Sequence, residues 1–294
     1  MIRLMILLLL VMSFPCVSFA DEIAITFDDL PGRENETAAQ QHEYNEKIIH
    51  ALKKHGAPAI GFVNESKLYD EGETKSRTAV LQRWVDAGIA LGNHTYSHKA
   101  LSDIPLADYE ADVLKGALVS KKMMQRAGLA YHYFRHPFLD TGTNPELRTA
   151  FEDFLQKNHY IIAPVTVDGL DWKFNQRMLD SPPNKRAAVI AEYISFTRAQ
   201  MMFAKASSEK MFGRNIRHVW VMHASPLNAF AMEKLLQMAH GLGYQFVGLD
   251  RALEDPVYQI KDNYYETAGE NWLYKWDMSG DKKINWSAAP QPSF

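Results

Sequence analysis

Between residues 23 and 247, short apolar runs alternate with longer amphipathic stretches, and this alternation constrains the fold more than any other feature of the chain. The runs cover residues 23–27, 59–63, 89–91, 131–134, 160–167, 218–222 and 244–247. Runs of this length suit strands buried in a parallel sheet. Between them Tyr44, Ile48 and Leu52 recur at helical spacing, as do Val113, Leu114, Ala117, Leu118 and Met124, with charged residues on the opposite faces. Gly56, Gly128 and Gly243 stand where helices should stop. The pattern predicts an α/β protein of βα units, and 294 residues leave room for one barrel or two smaller domains.

Both ends depart from this pattern. The N-terminus carries Arg3, an apolar run over residues 4–12, and Ser18-Phe19-Ala20 before Asp21. A charged start, a short apolar stretch and a small-residue site predict a secretory signal peptide over residues 1–20, since nine apolar residues are half of what a bilayer crossing needs. The single cysteine, Cys16, falls inside it, so the exported chain is expected to hold no disulfide and no membrane anchor. After Asp250 the last 44 residues carry Tyr258, Tyr264, Tyr265, Trp272, Tyr274, Trp276 and Trp286 with neither period. Such a tail, residues 251–294, either wraps the domain and buries its rings or offers faces for stacking sugars. With a net charge of -3 and scattered basic residues, there is no footprint for a nucleic acid. Four Asn-x-Ser/Thr sequons, at Asn35, Asn64, Asn93 and Asn285, read as chance, because Asn93 adjoins a histidine motif that a glycan would block.

Five short segments follow apolar runs, where the strand ends of a parallel sheet converge. Thr26-Phe27-Asp28-Asp29-Leu30-Pro31 places two adjacent carboxylates after the first run. Asn93-His94-Thr95-Tyr96-Ser97-His98 spaces two imidazoles at i and i+4, which on a helical turn share one face and reach one metal ion. Phe134-Arg135-His136-Pro137-Phe138 offers a guanidinium suited to fixing a carboxylate. Asp168-Gly169-Leu170-Asp171-Trp172 supplies an acid that could hold Arg135 and an indole that could wall a groove. Val219-Trp220-Val221-Met222-His223 brings a histidine out of a buried strand.

In order and spacing these segments resemble the polysaccharide deacetylases of carbohydrate esterase family 4, over roughly residues 21–250. The resemblance implies a distorted (β/α)7 barrel followed by the aromatic tail. It also implies roles: Asp28 as catalytic base, Asp29, His94 and His98 as ligands of one divalent metal ion, and His223 as general acid. Arg135 and Asp168 become the pair that orients the base and keeps it ionised, and Phe138 and Trp172 become groove residues. The ion implied is Zn²⁺, with Co²⁺ as an alternative. Two departures touch the groove: Leu30 stands where the family usually has Gly, and His136-Pro137-Phe138-Leu139 where Pro-Pro-Tyr-Gly is typical.

The activity implied is hydrolytic removal of N-acetyl groups from a glycan such as peptidoglycan, a chitin-like oligomer or an exopolysaccharide, by an exported, periplasmic or secreted, bacterial enzyme. Two alternatives stay open, an ester or other amide hydrolase using the same site and a catalytically inactive glycan-binding module.

Overall fold

The computed structural model describes residues 21–69, 72–266 and 269–294. Residues 1–20, with the expected signal peptide and Cys16, lie outside the described residues. The apolar runs form eight strands: β1 (Asp21–Leu30), β2 (Ala59–Val63), β3 (Ala90–Asn93), β4 (Tyr133–Phe134), β5 (Ile161–Ile162), β6 (Val167–Asp168), β7 (His218–His223) and β8 (Tyr244–Val247). Seven lie on one path, β5-β4-β3-β2-β1-β7-β6, and β8 attaches to β1. Every pair is parallel. Ile23 and Ala24 pair with both β7 and β8, so β8 shares with β2 one edge of the long first strand. With helices on its outer face, the sheet is the distorted (β/α)7 barrel that the sequence implies.

Helix Ala38–Lys54 begins at a capping box, in which Thr37 accepts from the Gln40 backbone N–H and the Gln40 side chain accepts from Thr37 N–H. It buries Tyr44, Ile48 and Leu52 as their spacing requires. Each such aliphatic burial is worth about 1.5–3 kcal/mol. Trp84, from helix Thr74–Asp86, lies edge-on to Phe27 at 5.1 Å and satisfies its indole N–H on Asn45 Oδ1 at 2.7 Å. Gly56, Gly128 and Gly243 all have positive φ just beyond helices, as expected of stop positions.

Two sequence readings need correction. The run 160–167 makes two strands rather than one, because Pro164 has no N–H to give a ladder and the chain leaves the sheet between Ile162 and Val167. The stretch from Val113 to Met124 is two helices, Leu106–Lys115 and Ser120–Arg126, so Val113 and Met124 are buried while Leu114 and Leu118 are exposed. The break is built in. Gly116 lies so close to the Thr95–Tyr96 backbone that a Cβ there would meet Thr95 C at 2.4 Å and Tyr96 N at 2.6 Å. The new helix is started by the fully buried Glu65, whose carboxylate accepts from Val119 N–H, Ser120 N–H and Ser120 Oγ.

Strands β5 and β6 sit at opposite ends of the sheet path, which leaves a seam in the barrel. The C-terminal residues dock there: Trp272 N–H donates to Val165 O at 2.7 Å, and Trp272, Leu273 and Trp276 are buried. The short helix Leu249–Leu253 straddles the position where barrel was expected to give way to tail. Lys275, 1% exposed, donates from Nζ to Leu139 O at 2.7 Å and Thr141 Oγ1 at 3.2 Å, tying this segment to the loop after β4.

Candidate active site

All five segments reach the carboxyl end of the sheet, where parallel barrels carry their chemistry. At the end of β1 the register slips from Phe27 opposite Gly61 to Leu30 opposite Val63, so three steps on β1 match two on β2. This bulge, with Asp29 at φ 68°, breaks the alternation that would send adjacent side chains to opposite faces. Leu30, the departure after the paired aspartates, fills space that Gly61 leaves by lacking a Cβ.

The histidine motif is not a helical turn. Asn93 ends β3, Thr95 and His98 have φ of 64° and 56°, and the loop is held by side-chain to backbone bonds. Asn93 Oδ1 accepts from Thr95 N–H at 2.8 Å and Thr95 Oγ1 from His98 N–H at 2.9 Å, while Asp112 Oδ2 takes the Tyr96 and Ser97 N–H groups. Asn64 and Asn93 are buried and bonded, Asn64 to His94 O and Asn93 to Val113 O and Tyr160 Oη, so neither sequon is open to a glycan in the folded chain. Among the described residues, six of the eight non-glycine residues with positive φ belong to this end of the barrel: Asp29, Thr95, His98, Phe138, Leu139 and Leu170. Such backbone is costly and gathers where geometry serves chemistry.

Asp29, His94 and His98 converge as expected. Asp29 Oδ1 lies 3.6 Å from His94 Nε2 and 3.3 Å from His98 Nε2, and the three ligand atoms sit within 4.8 Å of one another. Ligands about 2.0–2.1 Å from a tetrahedral ion are about 3.3 Å apart, so the set fits a zinc-sized cation. His94 Nδ1 is 2.7 Å from Arg135 O, an acceptor, so Nδ1 carries the proton and Nε2 presents its lone pair. Burial pushes His94 well below the usual imidazole range, and His98 down as well, which keeps both neutral as ligands must be. Asp29 Oδ1 is buried and has no hydrogen-bond partner among the described residues.

Asp28 lies beside this set, its Oδ2 4.0 Å from His94 Nε2, but has its own hydrogen-bond partner. Its Oδ2 accepts from Arg135 Nη1 at 3.2 Å, and Arg135, wholly buried over the Phe62 ring, also donates to Thr26 Oγ1 at 3.0 Å. Thr26 in turn donates to Trp220 O. Burial nonetheless pushes the Asp28 carboxyl up to about 6, with Arg135 opposing. Asp168 was expected to hold Arg135; among the described residues no hydrogen bond or close ion pair joins the two, and Asp168 acts on the guanidinium through its charge at longer range. Its Oδ1 accepts from Leu170 N–H at 2.7 Å in a tight turn, and among the described residues Arg135 makes its ion pair with Asp28 alone.

The acid that matters in the fourth segment is Asp171, which sequence reasoning quoted without a separate role. It is 1% exposed and opens helix Asp171–Asp180. Oδ1 lies 2.8 Å from His223 Nδ1, and Oδ2 accepts from His223 N–H at 2.7 Å and Asn228 Nδ2 at 2.6 Å. Burial alone would lower the His223 pKa, but Asp171, with Asp29 and Asp28 farther off, raises it to about 10. With Nδ1 engaged, Nε2 is the nitrogen left for the cleft of about 340 Å³ that His223 lines together with Asp29 and Trp172. Trp172 and Phe138 are both more than half exposed, and the Phe138 ring stands 4.5 Å from that of His98. Leu139 N–H and Asp140 N–H are taken by His136 O and Pro137 O, whereas Phe138 N–H has no backbone acceptor among the described residues. Lys67, also absent from the sequence reading, pairs with Asp29 Oδ2 at 3.2 Å.

Comparison with known proteins agrees with this geometry. Residues 19–154 match the family model described as polysaccharide deacetylase. Over 152 residues the chain is 30% identical to a peptidoglycan-N-acetylglucosamine deacetylase of Bacillus cereus, a match that covers 52% of this chain and 46% of that protein, so the chain spans about half the length of this curated relative. The fold is similar to the polysaccharide deacetylase Bc1974 from Bacillus cereus, with a TM-score of 0.55, 18% identity, and 78% of this chain and 91% of that one covered. It is also similar to BA3943 from Bacillus anthracis, described as a CE4 family pseudoenzyme, with a TM-score of 0.54, 19% identity, and 80% and 66% covered. The paired aspartates, the histidine loop and Arg135 all fall within the region over which the chain is similar to the polysaccharide deacetylase family.

Proposed function

We propose that the protein is a metal-dependent hydrolase that removes N-acetyl groups from a glycan. The observation that carries this reading is the division of labour at the strand ends: a ligand trio of Asp29, His94 and His98, beside an aspartate paired with arginine and a histidine paired with aspartate. Asp29, His94 and His98 would hold the ion, Zn²⁺ by ligand type, and a bound ion of this kind supplies Lewis-acid activation of water and of an acetyl carbonyl. Asp28 accepts the proton that the attacking water gives up, with Arg135, itself held by Thr26, fixing the direction of its carboxylate. Phe138 N–H faces no backbone competitor and is the donor for the developing oxyanion. An amine leaves only when protonated, and His223, held as its cation by Asp171, gives that proton from Nε2. Trp172 and Phe138 present exposed ring faces to sugar C–H surfaces.

The strongly raised His223 favours an amide over an ester, since an alkoxide leaves with less help from an acid. The intact set of acid, base and ligands favours an active enzyme over an inert binding module. The expected signal peptide over residues 1–20 fits an exported bacterial protein acting on peptidoglycan or another glycan outside the cytoplasm. Among the described residues no helix is long and apolar enough to cross a membrane. The test is acetate release from N- and O-acetylated glycans, with and without chelator. The reading predicts release from N-acetylated substrates that chelation stops and zinc or cobalt restores. Undiminished turnover in metal-free protein would overturn it.

A further inference from the structure

Lys67 lies in the 3-10 turn Glu65–Leu68 that follows β2, and its side chain is 7% exposed. A buried ammonium is costly unless paired, and among the described residues its one ion pair is with Asp29 Oδ2. The turn is rigidly placed. Glu65 is locked into the backbone of Val119 and Ser120, Ser66 N–H donates to Tyr96 O, and Arg77 Nη1 donates to Lys67 O. The two oxygens of Asp29 are thereby divided. Oδ1 faces both histidine Nε2 atoms and is otherwise unpartnered, whereas Oδ2 belongs to Lys67.

We propose that Lys67 is a positioning cation that restricts Asp29 to one-oxygen ligation and drains part of its charge, so that a bound metal ion is held less tightly and stays more Lewis-acidic. A free carboxylate can engage a cation through both oxygens and lend it a full negative charge. One that shares an oxygen with an ammonium offers the other only, and the ammonium itself repels a divalent ion a few ångströms away. Two neutral imidazoles and an attenuated carboxylate leave the ion electron-poor, which serves hydrolysis at the expense of affinity.

This inference rests on the metal-site reading above, and its test separates the two. Zinc dissociation constants are measured by competition with a chromophoric chelator for the wild type, Lys67→Met and Lys67→Gln, with thermal melts and near-UV circular dichroism as controls of folding. Both variants lack the charge, and Gln keeps a polar group of moderate size should the Met variant fold poorly. Each is expected to bind zinc at least tenfold more tightly than the wild type. With Co²⁺ as the probe, the visible bands of the variants should weaken as Asp29 becomes bidentate and the coordination number rises. Unchanged or weaker zinc binding in a folded variant overturns the role of Lys67. Failure of the folded wild type to bind either metal overturns the metal site itself.

Discussion

Replacing Asp171 by Asn removes the charge that holds His223 as a cation while keeping the shape of the side chain. In the folded protein His223 is raised from 6.5 to about 10. At about 1.4 kcal/mol per unit this gap is worth roughly 5 kcal/mol. Asp171 is the foremost of the groups that raise the histidine, ahead of Asp29 and Asp28, and is taken at about 3 kcal/mol, the lower end of the roughly 3–5 kcal/mol that loss of one member of a buried ion pair costs. The sign follows from the direction of the shift. A histidine raised in the folded state contributes stability that is fully present below 6.5 and is lost as pH rises through about 10. Asp171→Asn should therefore be less stable at pH 6 than the wild type, with the difference shrinking toward pH 10. Turnover should follow the same proton. The alkaline limb of kcat on an N-acetylated oligosaccharide should move down by about two pH units, since about 3 kcal/mol divides into about two such steps. At pH 8 the amide rate should fall about twofold and at pH 10 by one to two orders of magnitude, while an activated acetate ester, which leaves without protonation, keeps most of its rate. Metal content should not change, because Asp171 touches none of the three candidate ligands. An alkaline limb that stays in place in folded, metal-replete Asp171→Asn would refute the assignment of His223 as the acid.

The adjacent aspartates should dissociate by role: Asp28→Asn abolishes turnover with metal still bound, and Asp29→Asn empties the site, both read by elemental analysis beside acetate release. His223→Ala should retain fold and metal, lose amide hydrolysis, and spare the activated ester in a side-by-side assay. Gly116→Ala drives a Cβ into the Thr95–Tyr96 backbone and should weaken zinc binding measured by chelator competition, at a stability cost of roughly 1–3 kcal/mol. Lys275→Met leaves Leu139 O without its ammonium donor, so it should cost about 1–3 kcal/mol by chemical denaturation and lower kcat through a looser Phe138 loop, with metal content unchanged.

What the sequence determined by itself was the set of local patterns. Strand-length apolar runs and helical spacing specify a parallel βα architecture, because burial on two faces or on one stripe leaves a periodic record along the chain. The same reasoning drew Asp28, Asp29, His94, His98, Arg135 and His223 toward one site, since parallel strands all end on one face. Tertiary structure decided the rest. The i, i+4 histidines invited a helical turn, but Gly116 pressing on the loop and Asp112 taking its N–H groups impose a left-handed backbone instead, and both restraints come from residues 14 or more positions away. Asp168 and Asp171 are equivalent as letters. Only the turn at Leu170, which ties Asp168 to its own backbone and opens a helix at Asp171, gives His223 to the second of them. Lys67 and Glu65 read as two charges in a loop, and only burial against Asp29 and the start of helix Ser120–Arg126 gives each a function. The aromatic tail carries no period because it completes no repeating face. Its docking at the seam between β5 and β6, and the reach of Lys275 to the Phe138 loop, follow from the shape of the gap, which no local pattern of residues encodes.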